Sequence, residues 1–542
     1  MILGMSAFVK VWLRERRTSP VWRTSHIIRK DHARRPESAS DLGAHDLRAP
    51  WRCAMKWGYG MDTPVSERSD VLVFFGATGD LAYKQVFPAL QAMVRHSHLD
   101  MPVIGVARSM WSDDQLRARA RESVTAHGGL DEVAFAKLAS LLRYVSVDYT
   151  DPASFTRLRQ AMDGAQRPLF YLAIPPEAFT DVARHLASSG SAENARIIVE
   201  KPFGRDLASA RALNATLRRY FAEENIFRID HYLGKEAVLN LLYFRFANSF
   251  LEPMWNNNYI RSVQVTMAEA FGVEGRGAFY EEAGAIRDVI QNHLLQLVAL
   301  LTMEAPGRGD LDGIRDAKAE AFKAMLSIQR EDVVRGQYIG YRDEPRVAPG
   351  STVETFAALR LFLLNQRWAG TPFLIRAGKQ LPQTIVEVMV QLKRPPENVF
   401  SEGRSGRPNY LRFRVSPTVQ IALGARVKAP GEAMVGSEVE LLFQEQPSDE
   451  MPPYERLLND AIHGVKTLFA REDNVEEAWR VVDPILGDVV PVLPYEQGTW
   501  GPPEANALAV EVGGWRNPML ALGDGRTILP GNPPATTQGD HW

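Results

Sequence analysis

The run Val71-Leu72-Val73-Phe74-Phe75, followed at once by Gly76-Ala77-Thr78-Gly79-Asp80-Leu81-Ala82, constrains the fold more than any other part of the chain. Five consecutive β-formers offer no polar face, so the strand needs cover on both sides, as in a parallel sheet. Phe87, Leu90 and Val94 then recur at helical spacing. A strand, a glycine turn and a helix together aim backbone N–H groups at a phosphate, and glycine lets the backbone approach a pyrophosphate closely. The spacing is not G-x-G-x-x-G, so a purely structural turn also fits the pattern.

The next hundred or so residues repeat the unit. Val103 to Ala107, Tyr144 to Val147, Leu169 to Ala173 and Arg196 to Val199 read as further strands. Helical patterns lie between them, over 116–142, from Asp151 toward Met162 and over 178–188, and another lies beyond them over 207–220. This alternation predicts a doubly wound parallel sheet, with ligands beyond the carboxyl ends of its strands. The Gly76 turn, Arg108, Pro175 and Lys201 all fall at that edge. A dinucleotide fold that holds a ribose 2′-OH places Asp or Glu after its second strand, whereas Arg suits a 2′-phosphate. Arg108-Ser109 stands there, which points to NADP rather than NAD.

Next comes Arg228-Ile229-Asp230-His231-Tyr232-Leu233-Gly234-Lys235-Glu236. It offers a carboxylate that can orient a base, and three donors for an anion. A surface turn would solvate these groups; a site would use them on phosphate, where charge-assisted bonds are strong. Beyond it, 284–303 reads as an apolar helix that carries Arg287, Asp288, Gln291, Asn292 and His293. The segments 259–269, 373–375, 385–392, 410–415, 419–423 and 439–443 read as strands, and the later ones suggest an antiparallel sheet. Helices are expected near 353–365, 454–468 and 475–482, and an irregular tail after Gly513.

Composition excludes some classes. A net charge of -2 argues against a dedicated nucleic-acid binder. The single cysteine, Cys53, allows no disulfide framework within one chain and fits a reducing compartment. No apolar run is long enough for a membrane span. The histidines show no metal-ligand spacing, so no metal is expected. The first 66 residues are basic, acid-poor and weakly periodic. They read as a disordered extension, or as sequence upstream of a start at Met55 or Met61, in preference to a transit peptide.

Seven segments in order carry a resemblance: GATGDLA (76–82), GVARS (105–109), EKPFG (200–204), RIDHYLGKE (228–236), EGRGAFYEEAGAIRDVIQNHLLQ (274–296), IRAGK (375–379) and GTWGP (498–502). In these the chain closely resembles the glucose-6-phosphate 1-dehydrogenase family. The resemblance implies an N-terminal Rossmann-like α/β domain, over 67–230, and a larger α+β domain with an antiparallel sheet, over 231–512. Around them lie a leader, 1–66, and a tail, 513–542. It implies a homodimer or homotetramer built on that sheet, a cytoplasmic enzyme, and oxidation of β-D-glucose 6-phosphate at C1 with NADP+.

It also implies residue roles. His293 would be the base and Asp230 its partner. His231, Tyr232 and Lys235 would hold the phosphate, while Lys201, Glu269, Asp288 and Lys379 would contact the sugar. Gly76, Thr78, Gly79, Asp80, Leu81, Arg108, Ser109 and Lys201 would face the cofactor, and Pro202 would follow a cis bond. The chemistry agrees: oxidising an alcohol needs a base near neutral pH, and His is the usual choice. Gln85 departs from a basic residue of many relatives, Thr384 from an Arg of the animal enzymes and Phe179 from an aromatic hydroxyl of some relatives, which puts affinities and the NADP/NAD ratio in question. A dehydrogenase of another hexose 6-phosphate and a silent paralogue are the competing expectations.

Overall fold

The computed structural model describes residues 10–11, 68–307, 312–395, 400, 408–444 and 451–519. All but two residues of the expected leader, and most of the expected tail, lie outside the described residues.

The described strands form two sheets. The first strand in the chain, β1 (Lys10–Val11), belongs to the larger one. Six others make a wholly parallel sheet: β2 (Val71–Phe75), β3 (Val103–Ala107), β4 (Leu142–Ser146), β5 (Pro168–Leu172), β6 (Arg196–Glu200) and β7 (Ile226–Ile229). Their spatial order is β4-β3-β2-β5-β6-β7, so the direction of winding reverses between β2 and β5. This is the dinucleotide-fold order, whose crevice opens at that reversal. Val71 to Phe75 are all buried, as an unbroken apolar strand requires. At the crevice Gly76 has φ +83, and a Cβ there would fall 2.0 Å from the Ala173 carbonyl oxygen at the end of β5. Only glycine fits that turn.

The larger sheet adds to β1 the strands β8 (Ile260–Ala268), β9 (Val333–Tyr338), β10 (Phe356–Leu361), β11 (Phe373–Gly378), β12 (Ile385–Leu392), β13 (Tyr410–Ser416), β14 (Gln420–Lys428), β15 (Gly436–Gln444) and β16 (Val492–Tyr495). Their spatial order is β1-β15-β14-β13-β12-β8-β11-β10-β9-β16. The sheet is antiparallel apart from two parallel pairs, β8 with β11 and β9 with β16. A large apolar cluster runs from the parallel sheet into the face of this one.

Three sequence expectations need correction. The segment 116–142 is two helices, Asp113–Ala126 and Glu132–Leu141. Gly128 and Gly129 break it in left-handed conformation, and the Asp131 carboxylate caps the second helix through Val133 and Ala134 N–H. The helix expected at 353–365 is strand β10. Its Ala and Leu content favours a helix in isolation, but the ladder between β9 and β11 and burial of nearly every residue override that preference. The larger sheet is mostly antiparallel, as expected; the crossovers that make β11 and β16 parallel to their neighbours span many residues and leave no hairpin signature. Finally, Ile226–Ile229, which is not among the expected strands, completes the parallel sheet and places Asp230 at its carboxyl edge.

Candidate active site

Three element ends converge. β6 delivers Glu200 and Lys201, β7 delivers Asp230, and a helix carries His293. That helix is π-wound over Ile286–Leu294 and continues as an α-helix over Leu295–Thr302. Single π-turns within helices often mark functional sites. The expected helical range therefore holds, but not its regular winding. The Asn292 side chain re-satisfies the local backbone, accepting from His293 N–H at 2.7 Å and donating to the Arg287 carbonyl at 2.9 Å. Gly284, with φ +62, turns the chain in against Glu354, whose carboxylate accepts from Ile286 N–H at 3.2 Å.

His293 and Asp230 are each only 2% exposed. His293 Nδ1 lies 2.5 Å from Asp230 Oδ1, which also accepts from Tyr232 N–H at 3.1 Å. The Lys201 ammonium donates to His293 Nε2 at 3.1 Å and to the Asp288 carbonyl at 2.7 Å, with Asp288 Oδ1 at 3.5 Å. These partners assign the tautomer: Nδ1–H faces Asp230, and Nε2 carries the lone pair. Burial pushes the Asp230 carboxyl up, but His293 more than reverses this and holds it ionised, well below the usual range. Burial lowers His293 below an ordinary imidazole, with Asp230 opposing. The pair is an ionised carboxylate beside a neutral imidazole, which is the resting state a general base needs.

His231 and Tyr232 flank this imidazole, with ring centroids 4.6 and 4.2 Å from that of His293. Lys235 Nζ lies 3.9 Å from the Tyr232 ring centroid. Burial, then His293, lowers His231 to about 3, so it is a neutral donor. Burial also lowers Lys235. On the other side, parallel pairing of β8 and β11 sets Ala268 opposite Gly378. Glu269 and Lys379 therefore emerge side by side, Oε2 to Nζ 2.5 Å. Burial raises the Asp288 carboxyl, but Lys201 and Lys379 outweigh it and keep Asp288 ionised.

The glycine-turn residues lie apart from this cluster along the same sheet edge. Thr78 and Leu81 are half-buried, and Gly79 and Asp80 are exposed at the head of the first helix. Arg108 is exposed, its guanidinium carbon 5.8 Å from the Tyr149 ring centroid. Ser109 is half-buried, and its carbonyl accepts from Tyr144 at 2.6 Å. The glycine cradle and the cation beside it fit a dinucleotide that carries a 2′-phosphate. The Lys201-Pro202 bond is cis, as the resemblance implies.

Comparison with known proteins decides the family. A model of the glucose-6-phosphate dehydrogenase NAD binding domain matches residues 73–240, and one of the C-terminal domain matches residues 242–516. The chain belongs to the glucose-6-phosphate dehydrogenase family. Glucose-6-phosphate 1-dehydrogenase 1 of Mycobacterium tuberculosis is 43% identical over 456 residues, 84% of this chain and 98% of that protein. Among solved structures, the Mycobacterium avium enzyme superposes with TM-score 0.79 at 44% identity, covering 84% of this chain and 99% of its own. A family member in complex with its substrate glucose-6-phosphate gives TM-score 0.78 at 36% identity, covering 82% and 98%.

Of the three departures from the family pattern, Phe179 is fully buried in the core, Gln85 is exposed, and Thr384 Oγ1 accepts from Ala270 N–H at 3.0 Å. None touches the His293–Asp230 pair. Sequence reasoning missed a supporting layer. Tyr454 stacks on His231, with centroids 6.3 Å apart and planes at 12°, and hydrogen-bonds Glu200. Tyr171 donates to Glu200 at 2.6 Å. Burial raises Glu200 to about 7 despite these bonds. Glu200 stood within the EKPFG motif, but Tyr454 arrives from a distant helix and carries no local signal. Tyr149, which faces Arg108, could have been found from its place just past the end of β4.

Proposed function

We propose that this chain is an NADP-dependent glucose-6-phosphate 1-dehydrogenase that converts β-D-glucose 6-phosphate to 6-phosphoglucono-δ-lactone, the first step of the oxidative pentose phosphate pathway. The buried His293–Asp230 pair, with Nε2 turned toward Lys201, carries the reading. Bound NADP+ supplies the hydride acceptor at its nicotinamide C4. Gly76, Thr78, Gly79, Asp80, Leu81, Arg108 and Ser109 would hold it, with Lys201 reaching it from between the two ligands.

The chain's own groups handle the proton. His293 Nε2 takes it from the C1 hydroxyl as C1 loses hydride. Asp230 keeps the lone pair on Nε2 and stabilises the imidazolium that forms. The Lys201 ammonium stands where that hydroxyl would donate, so substrate takes over a hydrogen bond that already exists. Lys235 supplies charge to the 6-phosphate, while neutral His231 and Tyr232 supply directed donors. Glu269, Asp288 and Lys379 engage the sugar hydroxyls, and acceptors of this kind reject analogues that lack them. We further infer a homodimer or homotetramer in the cytoplasm. Among the described residues no helix is long and apolar enough to cross a membrane.

Reduced-cofactor absorbance at 340 nm tests the reading. Purified protein is given glucose 6-phosphate or other hexose phosphates, each with NADP+ or NAD+. The highest kcat/KM is expected for glucose 6-phosphate with NADP+. A higher value with another hexose 6-phosphate would transfer the activity to that sugar, and no turnover of any would leave a silent paralogue.

A further inference from the structure

A second cluster of ligating side chains lies outside the candidate active site. His96 ends the helix Phe87–Arg95, Ser97 follows in left-handed conformation with φ 61, and His98 N–H closes back on the Met93 carbonyl at 2.7 Å. This turn sets both imidazoles against Glu455, in the first turn of the helix Pro453–His463. His96 Nδ1 lies 2.6 Å, and His98 Nδ1 3.5 Å, from the same Glu455 oxygen. Glu455 is wholly buried.

The cluster is incompletely satisfied. Glu455 Oε2 and Asn459 Oδ1 are buried without a hydrogen-bond partner among the described residues, and His98 Nδ1 has only its 3.5 Å approach to Glu455 Oε1. Asn459 lies one helical turn beyond Glu455 and so shares its face. Buried polar atoms of native proteins are nearly all paired, so orphans gathered on one helix face call for a missing partner. Ligand atoms of His96, His98 and Glu455 all lie within 4.8 Å of one another. A tetrahedral ion with bonds near 2.0–2.1 Å sets its ligands about 3.3 Å apart. The 2.6 and 3.5 Å spacings bracket that value.

We propose that His96, His98 and Glu455 form a binding site for a divalent cation of the zinc class, with solvent completing the coordination. Two imidazoles and a carboxylate are the ligand set of open, three-residue zinc sites. Mg2+ and Ca2+ prefer oxygen donors and are disfavoured here. Arg68, which donates to the His98 carbonyl at 3.1 Å, is paired with Asp100 at 2.8 Å. The three residues are far apart along the chain except for His96 and His98, which is why spacing in the sequence does not reveal the site. The helix that carries Glu455 also carries Tyr454, against His231, so the ion would brace the wall behind the candidate phosphate site.

The test titrates the metal-stripped full chain with Zn2+ by calorimetry and with Co2+ by visible absorption. The expected result is a Zn2+ site and an intense tetrahedral Co2+ band. Both are retained in His293→Asn, which breaks the only other three-ligand cluster among the described residues. Affinity should fall at least about tenfold in His96→Gln/His98→Gln, with near-ultraviolet circular dichroism confirming the fold. Should that double variant not fold, Glu455→Gln must show the same loss. Equal binding by wild type and these variants, no binding by wild type, or loss in His293→Asn alone would overturn the proposal.

Discussion

At the scale of single residues, the candidate site works by separating the charge states of neighbouring groups. Asp230 stays ionised, while His293 and His231 are held neutral. This separation sets the pH dependence. Because His293 is lowered, its base form is complete at neutral pH, and kcat/KM should fall only as pH drops through a value below ~6.5, that of free imidazole. Asp230→Asn removes the group that raises His293. Its acid limb should move to still lower pH, while kcat falls on the order of 10²-fold or more as the tautomer is lost. A pH–rate profile of both proteins checks this, and an unmoved limb would detach Asp230 from the base. Lys235→Ala should raise KM for glucose 6-phosphate about tenfold to a hundredfold, the worth of one charged hydrogen bond, with a smaller change in kcat. Steady-state kinetics decide; an unchanged KM would place the phosphate elsewhere. Much of this was legible in the sequence, because RIDHYLGKE and IRDVIQNH hold these groups in short runs. Tyr454 was not, because it reaches the site through tertiary packing from a distant helix with no motif of its own.

At the scale of elements, the parallel strands were readable because each is a short, largely apolar run. β7 escaped because its four residues include Arg228, a buried cation whose Glu223 and Asn214 partners make burial possible. β10 escaped because its residues favour a helix until neighbouring strands claim their hydrogen bonds. The π-winding that presents His293 depends on the Asn292 side chain and on Gly284 packed against Glu354, and no periodicity reports that. The tightest local constraint is the turn after β2. Gly76→Ala would force a Cβ into the Ala173 carbonyl at φ +83. A stability loss of at least ~1–3 kcal/mol is expected from backbone strain, together with weaker NADP+ binding. Thermal unfolding and NADP+ titration measure both, and wild-type values would show that the turn relaxes freely.

At the scale of the whole molecule, the candidate site belongs to neither sheet alone. Asp230 and Lys201 come from the carboxyl edge of the parallel sheet. Glu269 and Lys379 come from the end of a parallel pair inside the mixed sheet, and His293 from the helix between them in sequence. Only packing of the two against each other brings His293, Asp230 and the proposed sugar contacts within reach. In the proposed reaction His293, carried beyond the dinucleotide-fold sheet, removes the proton that the pairing with Asp230 prepares it to take. The turnover number of folded His293→Asn, with saturating glucose 6-phosphate and NADP+, tests this most directly. A loss of about 10²–10⁴-fold in kcat is predicted for removal of a general base, and turnover within a fewfold of wild type would contradict it.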